Sequence, residues 1–255
     1  MVADAMPKFA VLIDADNARH SNIHRLLAEI AKYGTVHAKR AYGDWSSQYL
    51  VGWKDQLLHH SIQPIQQFAY TQGKNATDSA MIIDAMDLLY TSRYDGFCLV
   101  SSDSDFTKLA SRIRESGLVV YGFGEQKTPK PFVAACDKFI YTENLVHVDE
   151  LEPHVTRIRI PEHSVPAKKV QTGEPLATQL RTSVEAVSGD DGWARLSDVG
   201  SLLTKKHPDF DSRSYGYHKL SDLIANSALF ETYFKSHPHK SSIEIYVRDT
   251  RRKSS

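Results

Sequence analysis

The chain has 255 residues, 41% hydrophobic and 24% charged, with 31 basic side chains against 31 acidic ones. That length allows one large domain or two ordinary ones with real hydrophobic cores, while the balanced charge says nothing about partners and the absence of an apolar run of ~20 residues excludes a membrane-spanning helix. Two cysteines, Cys98 and Cys136, exclude a disulfide framework and a cysteine zinc site, and with no signal-peptide pattern over Met1–Lys8 the expectation is a soluble cytoplasmic protein.

Residues 8–149 alternate short apolar runs with helical patterns. The expected strands are 9–13, 35–42, 64–69, 97–101, 118–123 and 138–141. The expected helices are 22–33, 45–60, 77–91, 105–116 and 131–136. This order implies an α/β fold, a doubly wound parallel sheet with right-handed crossovers and helices on both faces. Residues 150–174 read as a linker, since Pro153, Pro161 and Pro166 break any regular element. Residues 175–250 form a second, smaller domain. A helix over 176–188 leads to a turn at Gly189-Asp190-Asp191-Gly192, helices over 198–206 and 214–227, and strands over 230–234 and 243–248. Three helices and a β-hairpin are the winged-helix arrangement.

Carboxylates fall where such a sheet holds its ligands, just past the C-terminal ends of buried strands. Asp14 ends the apolar run Phe9–Ile13; Asp103 and Asp105 follow Phe97–Val100. If strands 1 and 4 lie side by side at the switch point, these residues face one another across it. On the helix over 77–91, residues 81, 82, 85, 88 and 89 form the apolar stripe, and Asp78 lies on that stripe one turn earlier. Asp87 points the opposite way and Asp84 lies at the stripe's edge, supporting or structural. A charged group on a buried face must be paired or metal-bound. Two bland alternatives stand beside this: Asp105 caps the helix containing Phe106, Leu109 and Ile113, and Asp78 or Thr77 caps the helix that begins there. Oxygen-only donor sets suit Mg²⁺ or Mn²⁺ rather than zinc.

The runs Leu12-Ile13-Asp14-Ala15-Asp16-Asn17, Lys74-Asn75-Ala76-Thr77-Asp78 and Val100-Ser101-Ser102-Asp103-Ser104-Asp105-Phe106 resemble, in order and spacing, the successive motifs of the NYN domain, a member of the PIN-like nuclease group. Arg114-Glu115-Ser116-Gly117 and Gly122-Phe123-Gly124 continue the likeness over about residues 8–146. The resemblance implies a PIN-like fold and a Mg²⁺- or Mn²⁺-dependent ribonuclease, with Asp14, Asp78, Asp103 and Asp105 as the acidic metal site and Asn17 beside it. Ser102 stands where the family usually carries Gly. Lys74 either contacts a phosphate or is a solvated loop lysine. Arg40, Tyr42, Trp45 and Tyr49, near the end of strand 2, either stack on bases or pack in the core. Asp14-Ala15-Asp16 also matches the Asp-x-Asp of haloacid-dehalogenase-like phosphatases, whose first aspartate is a nucleophile. That pattern normally continues with Thr or Val, whereas here Asn17-Ala18 follow.

In the second domain, the run from Phe210 to Ile224 resembles the LOTUS (OST-HTH) signature, with Trp193–Gly200 and Phe230-Glu231-Thr232 fitting its pattern. The likeness implies RNA binding and, in some proteins, docking on a DEAD-box RNA helicase. Arg213, His218 and Lys219 on the third helix, and Lys235 and Lys240 around the hairpin, are candidate phosphate contacts or an ordinary solvated surface. The reading of the whole chain is a metal-dependent ribonuclease, expected to be endonucleolytic on single-stranded RNA. The rival is a non-catalytic RNA-binding or helicase-docking adaptor.

Overall fold

The computed structural model describes residues 6–68, 76–148, 174–237 and 240–251. Lys74, Asn75 and the expected linker lie outside them, except for Glu174. The chain divides into two compact units, Met1–Glu150 and Leu151–Ser255.

In the first unit the central strands are apolar on both faces, and that decides the architecture. β1 (Lys8–Asp14) sends Ala10 and Leu12 into one core and Phe9, Val11 and Ile13 into another. β4 (Gly96–Val100) divides in the same way, Phe97 and Leu99 against Cys98 and Val100. A strand buried on both sides needs helices on both sides. The first core is closed by α3 (Ala76–Tyr90), α4 (Thr107–Glu115) and α5 (Lys130–Ala135), through Met81, Leu88, Leu109, Ile113 and Phe132. The second is closed by α1 (Ile23–Ile30) and α2 (Trp53–His59), through Ile23, Leu26, Ile30 and Trp53.

With β2 (Thr35–Gly43), β3 (Gln63–Gln66), β5 (Val119–Gly124) and β6 (Lys138–Tyr141), the strands form one parallel sheet in the order β3-β2-β1-β4-β5-β6. Strand order reverses between β1 and β4, and their register pairs Ile13 with Val100. The next residues along each strand are Asp14 and Ser101. The expected helix over 45–60 is shorter than its pattern. A 3₁₀ turn occupies Gln48–Leu50, Val51 and Gly52 form a turn, and α2 begins at Trp53.

The second unit holds α6 (Glu174–Val187), β7 (Ala194–Arg195), α7 (Leu196–Lys206), α8 (Leu220–Asn226), β8 (Phe230–His237) and β9 (Lys240–Asp249). Its antiparallel sheet runs β7-β9-β8 and packs Ala194, Phe230 and Val247 onto Leu180, Val199, Leu203 and Ile224. The expected third helix over 214–227 is a correction. Ser212–Tyr215 form a 3₁₀ turn that ends at Gly216, whose φ of +82° is left-handed. Lys219 is extended, so α8 starts only at Leu220. A left-handed residue costs glycine little and stops a helix.

Candidate functional site

Asp14 is a carboxylate with no solvent exposure at the end of an apolar strand, so its charge has to be met from within. Ser101 Oγ donates to its Oδ2 at 2.7 Å, and Asn17 Nδ2 donates to the same oxygen at 2.7 Å. The Asn17 amide adds a longer bond to Oδ1 at 3.3 Å. Burial nevertheless pushes the Asp14 carboxyl above the usual aspartate range, against the lowering by Ser101 and Asn17. Both partners come from local chain geometry: residues 14–18 turn back on the Asp14 carbonyl, and Ser101 leaves β4 beside β1.

Ser101 also sets the next loop. Its Oγ accepts from the Asp103 amide at 3.0 Å, and Asp103 Oδ1 accepts from the Asp105 amide at 2.9 Å. Asp103 thus caps the 3₁₀ turn Ser104–Phe106 that leads into α4. This corrects the capping alternative for Asp105: the capping carboxylate is Asp103, and Asp105 is exposed on the first turn. Ser102 Oγ accepts from the Glu125 amide at 2.9 Å, a link to the end of β5 that a glycine has no atom to make. Gly124 lies so close that a Cβ there would meet the Ser101 carbonyl oxygen at 2.6 Å, which is why no side chain stands at that position.

Asp78 sits in the first turn of α3, half-buried on the face that carries Met81 and Ala85. One carboxylate oxygen each from Asp78, Asp103 and Asp105 lies within 4.8 Å of the others. Asp14 is not in that triangle, but its charge also acts on Asp78. Burial first, then Asp14, Asp103, Asp105 and Asp16, push the Asp78 carboxyl up to about 6. Oxygen donors of like charge converging in this way fit a hard divalent cation.

The surroundings separate the remaining candidates. Tyr42 is wholly buried and Arg40 partly so; both donate to Asp84, which is therefore structural, and Tyr42 stacks on no base. Trp45 donates its Nε1 to the Ile65 carbonyl at 2.9 Å and packs edge-on against Trp53. Tyr49 alone of the four stands in solvent, 94% exposed. It lines a cleft of about 520 Å³ together with Asp16, Arg19 and His20. Asn17, which stands where the phosphatase pattern normally carries Thr or Val, is tied to Asp14 Oδ2 at 2.7 Å.

In the second unit, His218, Lys219 and Lys235 are exposed. Arg213 is turned inward, forked onto Asp211 at 2.6–3.0 Å with 14% of its side chain exposed. Lys74 and the side chain of Lys240 lie outside the described residues. The residue that sequence reasoning missed is Ser101. Its signal was present: a serine directly after a wholly apolar strand, in the position matching Asp14 across the switch point.

A family model described as the NYN domain matches residues 8–146, and one described as the OST-HTH/LOTUS domain matches residues 174–242. No curated protein matches the chain. Among solved structures, a protein of unknown function from Vibrio parahaemolyticus is 21% identical over 55% of this chain and 94% of its own, with a TM-score of 0.44. An uncharacterized protein from Nitrosomonas europaea is 33% identical over 39% of this chain and 95% of its own, with a TM-score of 0.31. The chain belongs to the NYN family, with its nuclease-like PIN-like domain followed by an RNA-binding LOTUS domain.

Proposed function

We propose that this chain is a metal-dependent ribonuclease that cuts single-stranded RNA internally. The observation that carries the reading is the convergence of Asp78, Asp103 and Asp105 within 4.8 Å, beside buried Asp14 at the switch point of a parallel sheet. In this reading these four carboxylates hold Mg²⁺ or Mn²⁺. When bound, the cation supplies a water of lowered pKa and relieves charge on the phosphate.

The protein's own residues do the positioning. Ser101 and Asn17 fix Asp14 through one oxygen, and Ser101 fixes Asp103 through its amide. The cleft lined by Asp16, Arg19, His20 and Tyr49 is the RNA path of this reading. On the LOTUS side, exposed His218, Lys219 and Lys235 are the phosphate contacts of this reading. Because both domains share one chain, RNA held by the second is concentrated at the first. A DEAD-box helicase docked on the second domain would supply unwound strands. The cytoplasm is the compartment of this reading, with which two free, buried thiols, Cys98 and Cys136, are consistent.

Circular single-stranded RNA tests the reading, since a circle has no end for an exonuclease. Linearisation of the circle that requires Mn²⁺ or Mg²⁺ supports it. An intact circle beside shortened linear RNA would overturn the internal cut, and no cleavage of either would favour the adaptor.

A further inference from the structure

The three-stranded sheet of the second unit has two unlike faces. Alternation along β7, β8 and β9 sends Ala194, Phe230, Ile245 and Val247 to the core. The opposite parity carries Arg195, Tyr233, Tyr246 and Arg248, joined by Trp193 just before β7. Tyr246 is the cross-strand partner of both Tyr233 and Arg195. Tyr233 lies 6.0 Å from Trp193 at 62° and 6.3 Å from Tyr246 at 47°, centroid to centroid. The Arg248 guanidinium sits 4.7 Å from the centre of the Trp193 ring, and that of Arg195 6.0 Å from Tyr246.

None of these three rings belongs to the hydrophobic core of the unit, and Tyr233 is 53% exposed. They are held in place from the same face. Arg195 Nε donates to Tyr246 Oη at 3.0 Å, Tyr246 Oη donates to Glu244 at 3.0 Å, and Arg248 pairs with Glu231 at 2.5 Å. Edge-on and tilted contacts leave ring faces uncovered by one another. Arg195, Arg248 and exposed Lys235 outnumber Glu231 and Glu244 by three to two, and the Arg195 side chain is itself 53% exposed. The exposed Tyr233 ring, flanked by Trp193 and Tyr246 and edged by cations, matches an unpaired base joined by phosphates to its neighbours.

We infer that the Trp193-Tyr233-Tyr246 face of this sheet is a stacking platform for single-stranded RNA, with Arg195 as its phosphate contact. The inference deepens the reading of the chain as one that acts on RNA, and it places capture on the sheet as well as on the basic residues near α8. A platform of this kind takes bases with little regard to sequence, because every base has a flat face.

The test uses the full chain carrying Asp103→Asn, which separates binding from cutting. A fluorescein-labelled single-stranded RNA of mixed sequence is titrated by anisotropy, beside an abasic oligonucleotide of the same length. Expected are about tenfold weaker binding of the abasic strand, and about tenfold weaker RNA binding by Tyr233→Ala. Tyr233→Phe retains affinity, and the Tyr233→Ala salt slope stays unchanged. Arg195→Ala lowers the slope on log salt by about 0.7. Equal affinity for abasic and normal strands overturns the platform without any variant having to fold. RNA binding that Tyr233→Ala leaves intact, or no RNA binding at all, does so too; the last outcome would give the face to a protein partner. Cleavage by the parent chain is scored separately, so the platform can fail while the nuclease stands, and the reverse.

Discussion

Ser101 Oγ donates to Asp14 Oδ2 at 2.7 Å, from the end of one central strand to the end of its neighbour. The same oxygen accepts from the Asp103 amide at 3.0 Å. One hydroxyl therefore ties together two of the four acidic residues at the point where strand order reverses.

Ser101→Ala removes both bonds and leaves the buried Asp14 held by Asn17 alone. The expected cost is about 1–3 kcal/mol of stability, the range for stranding a buried polar group. Urea unfolding measures it. A midpoint equal to the parent's would show that the serine is not what holds the aspartate.

Asp14→Asn keeps the shape of a side chain with no solvent exposure and removes its charge. The fold is expected to survive, with a melting temperature within a few degrees of the parent's and cleavage abolished. A folded variant that still cuts RNA would remove Asp14 from the site.

Asp78 gives a pH signature. An aspartate in the unfolded chain titrates near 3.9, whereas the folded protein holds Asp78 up to about 6. Between those values the folded state keeps a proton that the unfolded chain has released. Its contribution to stability is thus full at acid pH and is lost as pH rises through about 6. In EDTA, Asp78→Asn should melt above the parent at pH 7.5, and the difference should vanish by about pH 4. Mn²⁺ at pH 7.5 should raise the parent's melting temperature more than the variant's. A gain from Asp78→Asn that grew toward acid pH would contradict the assignment.

Tyr42→Phe keeps the buried ring and removes its bond to Asp84. The expected loss is about 1–3 kcal/mol with RNA affinity unchanged. Weakened RNA binding by a folded variant would restore this tyrosine to the binding surface.

The parallel sheet was legible because β1 and β4 are apolar at every core position, a pattern with few other solutions. Asp14 was legible for the same reason, as a charge that ends such a strand. The Asp78 stripe followed from helical spacing, and burial of Met81, Ala85, Leu88 and Leu89 matches it. What periodicity concealed were local breaks. Leu220, Leu223 and Ile224 have helical spacing, but the turn at left-handed Gly216 and extended Lys219 lies before them. β7 has two residues, too few to alternate, so the third strand of the small sheet was missed. Ser101 was passed over because its role depends on a neighbour 87 residues away, and its own chemistry is common. The division of Arg40, Tyr42, Trp45 and Tyr49 into three anchored side chains and one exposed ring also needed three-dimensional contacts.

The most direct measurement is cleavage of an end-labelled, mixed-sequence single-stranded RNA in Mn²⁺, in Mg²⁺ and in EDTA, with Asp103→Asn as the paired control. Internal cuts that need the metal and vanish in the variant are the predicted result. RNA that is retained but never cut, or cut equally by the folded variant, would contradict a nuclease centred on these aspartates.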